Sequence, residues 1–519
     1  MSDWLNSAVF YEIYPQSFQD TNADGIGDIP GIMKRLDYIK NLGCNAIWLN
    51  PCFESPFSDA GYDVSDYCKV APRYGTMEEI EQLFEEVHAR KMHIILDLVP
   101  GHTSLEHKWF KESMKAEKNE FSGRYIWSDD IMDDMSGVGN ITGCIRGISD
   151  RYGSCAVNFF STQPALNYGF ARCDKPWQQP VDSEDAVKSR QAIKEIMRFW
   201  LRKGCDGFRV DMAGSMVKND EDKQATIALW REFRTFLDQE FPQAVMISEW
   251  GDPDKSLQAG FHMDFLLHFG PSHYNDLFRG NTPFFAKEGK GDISQFASYY
   301  KNCYETTKGK GLICIPSGNH DMVRLAKTLS PEEMKLAFAF VLSMPGAPFI
   351  YYGDEIGMRY VENLTSVEGG YYRTGSRSPM QWDHREQNAG FSDASEENLY
   401  IRMDPEAIRP TVSQQMEQED SLWKEVHQLL AIRGQEEALL ANGGLEFLYA
   451  EQNSYPLVYK RFAPGSSILV IINPSERATE CQIEVAETER ILYCYGEPAS
   501  FDRGIVRAPA CSVTFIKLK

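Results

Sequence analysis

Short runs of apolar and β-branched residues alternate along the chain with longer segments in which apolar residues recur with helical periodicity. The short runs have the length of buried strands, and the longer segments that of amphipathic helices. Strand followed by helix, repeated many times, indicates βαβ units and a parallel sheet. Eight strands are predicted, so the expected fold is an α/β protein built on a (β/α)8 TIM barrel. They are residues 8–14, 46–49, 93–98, 206–210, 245–248, 262–267, 312–316 and 348–352.

Two segments depart from the alternation. Residues 103–167 are rich in Gly, Ser, Asp and aromatic residues and are too long for a loop, which predicts a small inserted domain after strand three. After a predicted helix at residues 421–433, the chain alternates in the manner of antiparallel strands separated by Pro and Gly, which predicts a C-terminal β-sandwich. The predicted domains are therefore the barrel (1–102 and 168–435), the insertion (103–167) and the β-sandwich (436–519).

Composition excludes several classes of protein. The net charge of -22 and the lack of Lys/Arg clusters argue against a nucleic-acid partner. No apolar stretch approaches the ~18 residues of a membrane span, and residues 1–10 do not resemble a secretory signal. The 12 cysteines are scattered without paired spacing, as expected in a reducing compartment. We expect a cytoplasmic protein without a membrane partner; the pattern does not predict its oligomeric state.

Acids or histidines follow four of the predicted strands. The segments are DLVPGH (97–102), GFRVD (207–211), ISEW (247–250) and GNHD (318–321). A carboxylate after a strand is often a helix N-cap. Four such segments in succession favour an active site instead, because barrel enzymes keep their chemistry at the carboxyl ends of the strands.

Three of these acids, Asp211, Glu249 and Asp321, suit the cleavage of a glycoside. A retaining reaction needs a carboxylate nucleophile and a carboxylic acid that donates a proton, and further negative charge stabilises the cationic transition state. Arg209 lies two residues before Asp211 and therefore on the same face of the strand, where it would keep Asp211 ionised. Repulsion from Asp321 would favour a proton on Glu249. The alternative is that Arg209 and Asp211 form only a structural salt bridge.

His102 and His320 each lie beside a strand-end acid. We expect them to donate hydrogen bonds to sugar hydroxyls, although a lone histidine is more often structural. No predicted helix carries two histidines at i and i+4 with a glutamate between them, which argues against a zinc site.

Oxygen-bearing side chains alternate in residues 20–28, and Gly25 allows a sharp turn, as at the start of a calcium loop. The twelfth position is Gly31 rather than the glutamate of an EF-hand. The alternative is an Asp/Asn-rich turn. We predict a structural Ca²⁺ site, with Mg²⁺ as a second option. The expected ligands are the side chains of Asp20, Asn22, Asp24 and Asp28 and the carbonyl of Ile26.

With these motifs in this order, the chain resembles the α-amylase family of glycoside hydrolases from about residue 10 to its end. The resemblance implies that Asp211 is the nucleophile, Glu249 the acid/base and Asp321 the stabiliser of the transition state. It also implies that Arg209, His102 and His320 occupy sugar-binding positions.

Further segments resemble the oligo-1,6-glucosidase branch, namely QPALN (163–167), DAGY (59–62), RSPMQW (377–382) and the acidic loop. In that branch Asp59 and Arg377 would pair and hold the non-reducing end of one glucose, while Tyr62 stacks on its ring. A pocket blocked in this way implies exo action. Ala165 in place of the usual Asp, Met212 after the nucleophile and a short segment 357–377 leave the linkage open.

The main hypothesis is therefore a retaining, exo-acting α-glucosidase that hydrolyses terminal α-linked glucose from short oligosaccharides. The alternative is a glucosyltransferase or isomerase of the trehalose synthase or sucrose isomerase type, which uses the same acids. Residues 377–391 resemble trehalose synthases, whereas no Arg-Leu-Asp-Arg-Asp segment of a sucrose isomerase precedes them. A non-enzymatic binding module is disfavoured, because all three acids are present and no membrane anchor is visible.

Overall fold

A computed structural model describes residues 3–484 and 487–519. Eight parallel strands form its centre: β1 (Phe10–Ile13), β2 (Ala46–Leu49), β3 (His93–Leu98), β4 (Gly207–Val210), β5 (Val245–Ser248), β6 (Met263–Phe265), β7 (Leu312–Cys314) and β8 (Phe349–Tyr351). Their spatial order is β7-β6-β5-β4-β3-β2-β1-β8, and a parallel bridge between Pro316 and Phe349 joins the two ends into a barrel. The predicted (β/α)8 barrel is confirmed.

A helix follows each strand around the outside. These are α1 (Ile29–Leu42), α2 (Met77–Ala89), α3 (Glu184–Lys203), α4 (Gln224–Glu240), α5 (Pro253–Gln258), α6 (Ser294–Thr307), α7 (Pro331–Ser343) and α8 (Leu422–Gln435). Their starts follow from the sequence: Asp28 caps α1 by accepting the N–H of Gly31 at 2.7 Å, and Thr76 with Glu79 forms a capping box on α2. Within the described ranges, the model contains no helix with the length and apolar character required to cross a bilayer.

The barrel strands are buried on both faces. Every residue of β1, β2, β4 and β5 is buried, which explains their nearly continuous apolar runs. Three charged residues interrupt the apolar runs and are nevertheless buried: Glu12 in β1, Asp97 in β3 and Arg209 in β4. Buried charges are costly unless they are paired, so these residues mark where the interior of the barrel becomes a polar site.

The segment between β3 and α3 forms a wall above the barrel. It contains a helix, Lys108–Ser113, and an antiparallel strand pair, Gly143–Ile145 with Cys155–Val157. A bridge between His102 and Ala165 ties it to the end of β3. Its own apolar cluster comprises Ile126, Met135, Ile141, Ala156, Ala165 and Phe170.

The C-terminal part consists of antiparallel sheets, as the sequence predicts. The strands are β9 (Gly444–Tyr449), β10 (Leu457–Ala463), β11 (Ser466–Asn473), β12 (Thr479–Gln482), β13 (Thr488–Tyr495), β14 (Ser500–Asp502), β15 (Ile505–Ala508) and β16 (Ser512–Leu518). A five-stranded sheet has the order β9-β10-β11-β16-β13, and a three-stranded sheet has the order β12-β15-β14.

Two buried arginines, one from the barrel and one from these sheets, bind the same end of α7. Arg433, in α8, donates to the carbonyls of Leu342 and Met344 at 2.8 and 3.1 Å, and Arg461, in β10, donates to the carbonyl of Ser343. These carbonyls lie at the C-terminal end of α7, where unpaired C=O groups favour a cation. Burial lowers the pKa of Arg433 to about 9 and that of Arg461 to about 10. The end of α7 is therefore capped from both parts of the chain.

Candidate active site

The predicted acids converge above the barrel. Asp211 and Glu249 directly follow β4 and β5, and both bind the guanidinium of Arg209, at 3.0 and 2.8 Å. The same guanidinium binds Asp97 at 2.8 Å. Glu249 also accepts the backbone N–H of Met212, the residue after Asp211, at 3.0 Å. Asp211 and Glu249 are therefore neighbours held by one buried cation.

The third acid is held by different cations. Asp321 follows β7, and its Oδ1 accepts from Arg373 at 2.7 Å and from Arg377 at 3.0 Å. Burial by itself would raise the pKa of Asp321, but His320, Arg373 and Arg377 outweigh burial and hold that pKa well below its usual range. Asp321 is therefore charged throughout the neutral range.

The pKa of Asp211 moves in the opposite direction. Burial raises it well above the usual value and the Glu249 carboxylate adds to the rise, while Arg209 opposes both. Arg209 lowers the pKa of Asp211, as expected, but burial and Glu249 raise it by more than the guanidinium lowers it. Asp211 therefore retains a proton more readily than a free carboxyl does.

One cavity of about 760 Å³ contains these acids, a volume typical of a small-molecule site. The predicted site residues that line it are Asp59, Tyr62, His102, Asp211, Glu249 and Asp321. Arg209, His320 and Arg377 lie beneath this lining, each no more than 1% exposed, and contact the acids from behind. The structure thus brings all nine residues together in two layers.

The expected pairing of Asp59 with Arg377 is wrong. Arg373 takes that place, with Nη2 at 3.4 Å from Asp59 Oδ1, and Gln163 donates to the other oxygen at 2.7 Å. The cause is the 3₁₀ helix Tyr371–Ser376, which turns Arg373 toward the cavity and leaves Arg377 under Asp321. Burial raises the pKa of Asp59 to about 6, and Arg373 opposes this rise.

Both predicted histidines are fixed by protein contacts at each ring nitrogen. His102 lies 3.0 Å from the carbonyl of Tyr62 and 3.2 Å from the Asn158 amide, and His320 lies 2.8 Å from Glu12 and 2.8 Å from the Tyr62 hydroxyl. Burial lowers the pKa of His102 to about 4 and that of His320 well below its usual value. The His102 ring is therefore neutral at pH 7, and its contacts and those of His320 hold both rings in fixed orientations.

Several charged residues that support the site have no role predicted from the sequence. Glu12 and Asp97 could have been found, because a charge inside an apolar strand run is itself a signal. Arg373 and Lys218 give no comparable signal. Lys218 Nζ donates to the Asn158 side-chain oxygen at 3.1 Å and to the Ser215 carbonyl at 2.8 Å, and burial lowers its pKa to about 7.

The acidic loop 20–28 precedes α1. Asp20 accepts the N–H groups of Asn22, Ala23 and Gly25, and Asp28 accepts those of Thr21 and Gly31. Within the described part of the chain, no group of three or more His, Cys, Asp or Glu side chains is arranged to hold a metal ion. The donors are of the kind that Ca²⁺ prefers, but here they serve the loop's own N–H groups. Calcium binding stays a prediction.

A barrel with an acidic pocket at the carboxyl ends of its strands, a wall inserted after β3 and antiparallel sheets behind it defines a class of enzymes that act on carbohydrates. The model of the α-amylase catalytic domain matches residues 12–443. The chain belongs to the α-amylase family of glycoside hydrolases and transferases, as the motifs predicted.

The relatives include both a glucosidase and a trehalose synthase. The oligo-1,6-glucosidase of Halalkalibacterium halodurans is 30% identical over 562 residues, which cover 95% of this chain and 94% of the relative. The trehalose synthase/amylase TreS of Mycolicibacterium smegmatis is 31% identical and covers 84% of this chain and 77% of its own.

Solved structures show the same fold over the whole of both chains. The alpha-glucosyl transfer enzyme XgtA has a TM-score of 0.81 at 25% identity. The trehalulose synthase MutB from Pseudomonas mesoacidophila MX-45 has a TM-score of 0.82 at 24% identity, a likeness that concerns the fold alone.

Proposed function

We propose that this protein is a retaining, exo-acting α-glucosidase that hydrolyses the terminal α-linked glucose of short oligosaccharides or disaccharides. The observation that carries the proposal is the convergence of Asp211, Glu249 and Asp321 on one pocket with the Asp59–Arg373 pair.

The reaction assigns a separate role to each acid. Asp211 attacks the anomeric carbon while Glu249 gives its proton to the glycosidic oxygen, which leaves with the second sugar. Water then attacks the covalent glucosyl-enzyme, and Glu249 takes the water's proton as Asp211 leaves. Asp321, kept charged by two arginines, stabilises the positive charge that develops on the ring.

The exo assignment rests on Asp59 and Arg373. A carboxylate and a guanidinium together can bind one terminal hydroxyl from two sides. Arg373 also donates to the Gly369 carbonyl at 2.6 Å, and Gln163 fixes Asp59, so the pair is held in place from the protein side. A glucan chain could not continue past a hydroxyl bound in this way.

A transferase or isomerase remains the second candidate, because the trehalose synthase/amylase relative is as similar as the oligo-1,6-glucosidase. Both reactions pass through the same glucosyl-enzyme. They differ only in whether water or a sugar hydroxyl attacks it.

Product analysis on maltose, isomaltose, sucrose and trehalose separates the two candidates. Hydrolysis releases glucose from the preferred substrate, whereas an isomerase converts maltose or sucrose into another disaccharide with little free glucose. Proton NMR early in hydrolysis should show α-glucose, since two inversions restore the configuration. An initial β-anomer would mean that Asp211 activates water instead. Rapid internal cutting of starch would contradict the exo assignment.

A further inference from the structure

A buried carboxyl that the proposed reaction does not use lies beside the strand end that carries Glu249. Asp264 belongs to β6 and is fully buried in an otherwise apolar strand. Burial raises its pKa to about 7, while hydrogen bonds from Ser248 and Trp250 lower it. A buried carboxyl is costly in free energy. Its partners therefore indicate what it does.

The two residues that flank Glu249 in the chain bind the same oxygen of Asp264. The Ser248 hydroxyl donates to Oδ1 at 2.7 Å, and the backbone N–H of Trp250 donates to it at 3.1 Å. Strand β5 ends at Ser248, so the N–H of Trp250 lies beyond the strand and takes a side chain as its acceptor. Asp264 therefore fixes the chain on both sides of Glu249.

A second serine extends this contact to the next helix. Ser256 is fully buried in α5, and its Oγ lies 2.5 Å from Ser248 Oγ. Because the Ser248 hydroxyl has one hydrogen and directs it to the carboxyl, Ser256 is the donor. The three side chains thus form a chain of hydrogen bonds from α5 through the end of β5 to β6.

The start of α5 does not account for Asp264. Asp252 caps that helix by accepting the backbone N–H of Lys255 at 3.4 Å. The contacts of Asp264 fall instead on Ser248 and Trp250, before the helix begins.

Glu249 is held from two sides. Its carboxylate is bound from the β4 side, by Arg209 at 2.8 Å and by the backbone N–H of Met212 at 3.0 Å. Asp264 holds its backbone from the β6 side. A proton donor must reach the glycosidic oxygen accurately, since a misplacement of about 1 Å can cost roughly 100-fold in rate.

We propose that Asp264 is a positioning residue for the acid/base, and that its carboxyl fixes the strand end from which Glu249 delivers its proton to the leaving group. The inference rests on the proposed function for the role of Glu249. It holds for hydrolysis and for glucosyl transfer alike, because both reactions begin with this proton transfer.

Two substrates that differ in their need for a proton provide the test. When Asp211 attacks a disaccharide, the C–O bond breaks and the leaving oxygen takes the proton of Glu249. When it attacks α-glucosyl fluoride, the C–F bond breaks and fluoride leaves as an anion that needs no proton. For both substrates, kcat/KM covers the steps up to departure of the leaving group.

Asp264→Asn keeps the shape of the side chain but weakens it as an acceptor. We expect kcat/KM for the preferred disaccharide to fall by at least about tenfold, and that for α-glucosyl fluoride by less than about threefold. Ser248→Ala keeps the carboxyl and removes one of its two donors, so it should show the same selective loss at about threefold. Ser248→Ala decides the question if Asp264→Asn does not fold.

Asp220→Asn is the matched control. Asp220 is also buried and accepts similar donors, the backbone N–H and the hydroxyl of Thr226, both at 2.7 Å, but it does so at the start of α4. Any loss in this variant should be equal for the two substrates. An equal loss for the two substrates in Asp264→Asn and Ser248→Ala, or no loss in either variant, would overturn the positioning role.

Glu249→Gln separates this inference from the proposed function. It should lower kcat/KM for the disaccharide by at least about 100-fold and leave that for α-glucosyl fluoride far less affected. If Glu249→Gln behaves in this way and Asp264→Asn does not, only the positioning role fails. If Glu249→Gln affects both substrates equally, Glu249 is not the proton donor and both proposals fail.

Discussion

Replacing Arg373 with alanine should weaken the active site more than its partly exposed position at the cavity wall suggests. Arg373 binds Asp321 at 2.7 Å and lies 3.4 Å from Asp59, so one side chain supports two acids of the pocket. Asp321 retains Arg377 in the variant, but Asp59 retains only the Gln163 amide. The larger loss therefore falls on the contact with the terminal hydroxyl.

The size of the effect follows from these contacts. A hydrogen bond to a charged group contributes about 1.5–3 kcal/mol, which corresponds to a loss of roughly 10- to 150-fold in kcat/KM.

The pH profile should change as well. The pKa of Asp59 is about 6 with Arg373 opposing the rise, so removal of the guanidinium raises it further. The ionised form of Asp59 accepts the hydrogen bond from the terminal hydroxyl more strongly than the protonated form does. The acid limb of kcat/KM should therefore move to higher pH.

Steady-state kinetics on the preferred disaccharide between pH 5 and 8 measures both effects. Arg385→Ala is the matched control, since Arg385 forms a bidentate pair with Asp383 at 2.6 and 2.9 Å on the surface. It should leave the profile unchanged. Arg373→Lys, which keeps the charge but loses the planar fork, should fall between wild type and alanine. If Arg373→Ala stays within twofold of wild type with its acid limb unmoved, the assignment of Arg373 to the terminal sugar is refuted.

Three further predictions concern other parts of the structure. Asp211→Asn and Glu249→Gln should each reduce kcat at least about 100-fold with an unchanged circular dichroism spectrum, because one removes the nucleophile and the other the proton donor; higher residual activity would contradict these roles. If the loop 20–28 binds calcium, EDTA and Asp24→Ala should each lower the Tm, and an unchanged Tm in both would identify it as a turn. Lys218 has a pKa of about 7, whereas a lysine in an unfolded chain titrates near 10.4, so between these values the unfolded state binds the extra proton. Raising the pH from 7 to 10 should therefore stabilise the wild type relative to Lys218→Met in calorimetry, and a constant difference in Tm would contradict this.

The barrel was predictable because its strands are buried on both faces. The predicted runs at residues 46–49 and 245–248 coincide with β2 and β5. The run predicted at 262–267 is longer than β6, Met263–Phe265, although backbone hydrogen bonds from His262 and Leu266 continue the ladder on either side. Apolar continuity thus locates a strand well and its ends less well.

The acids were predictable for a related reason. A strand end fixes where the following side chain lies, so Asp211 and Glu249 could be placed from the sequence. Arg373 could not, because its partner depends on how the 3₁₀ helix Tyr371–Ser376 turns above the barrel. Nor could the pairing of Glu12 with His320, which are 308 positions apart. Contacts made by chain geometry between distant segments leave no local pattern in the sequence.

The arginine pair at the end of α7 has a consequence for how the protein is made. The ribosome has synthesised the whole predicted barrel when it reaches residue 435. At that point the chain contains Arg433 but not yet Arg461. The Ser343 carbonyl that Arg461 binds must wait for β10 to emerge. In a nascent barrel the end of α7 therefore lacks one of its two arginines until β10 has been synthesised. A gene cut at the apparent domain boundary would encode a barrel that never gains this contact.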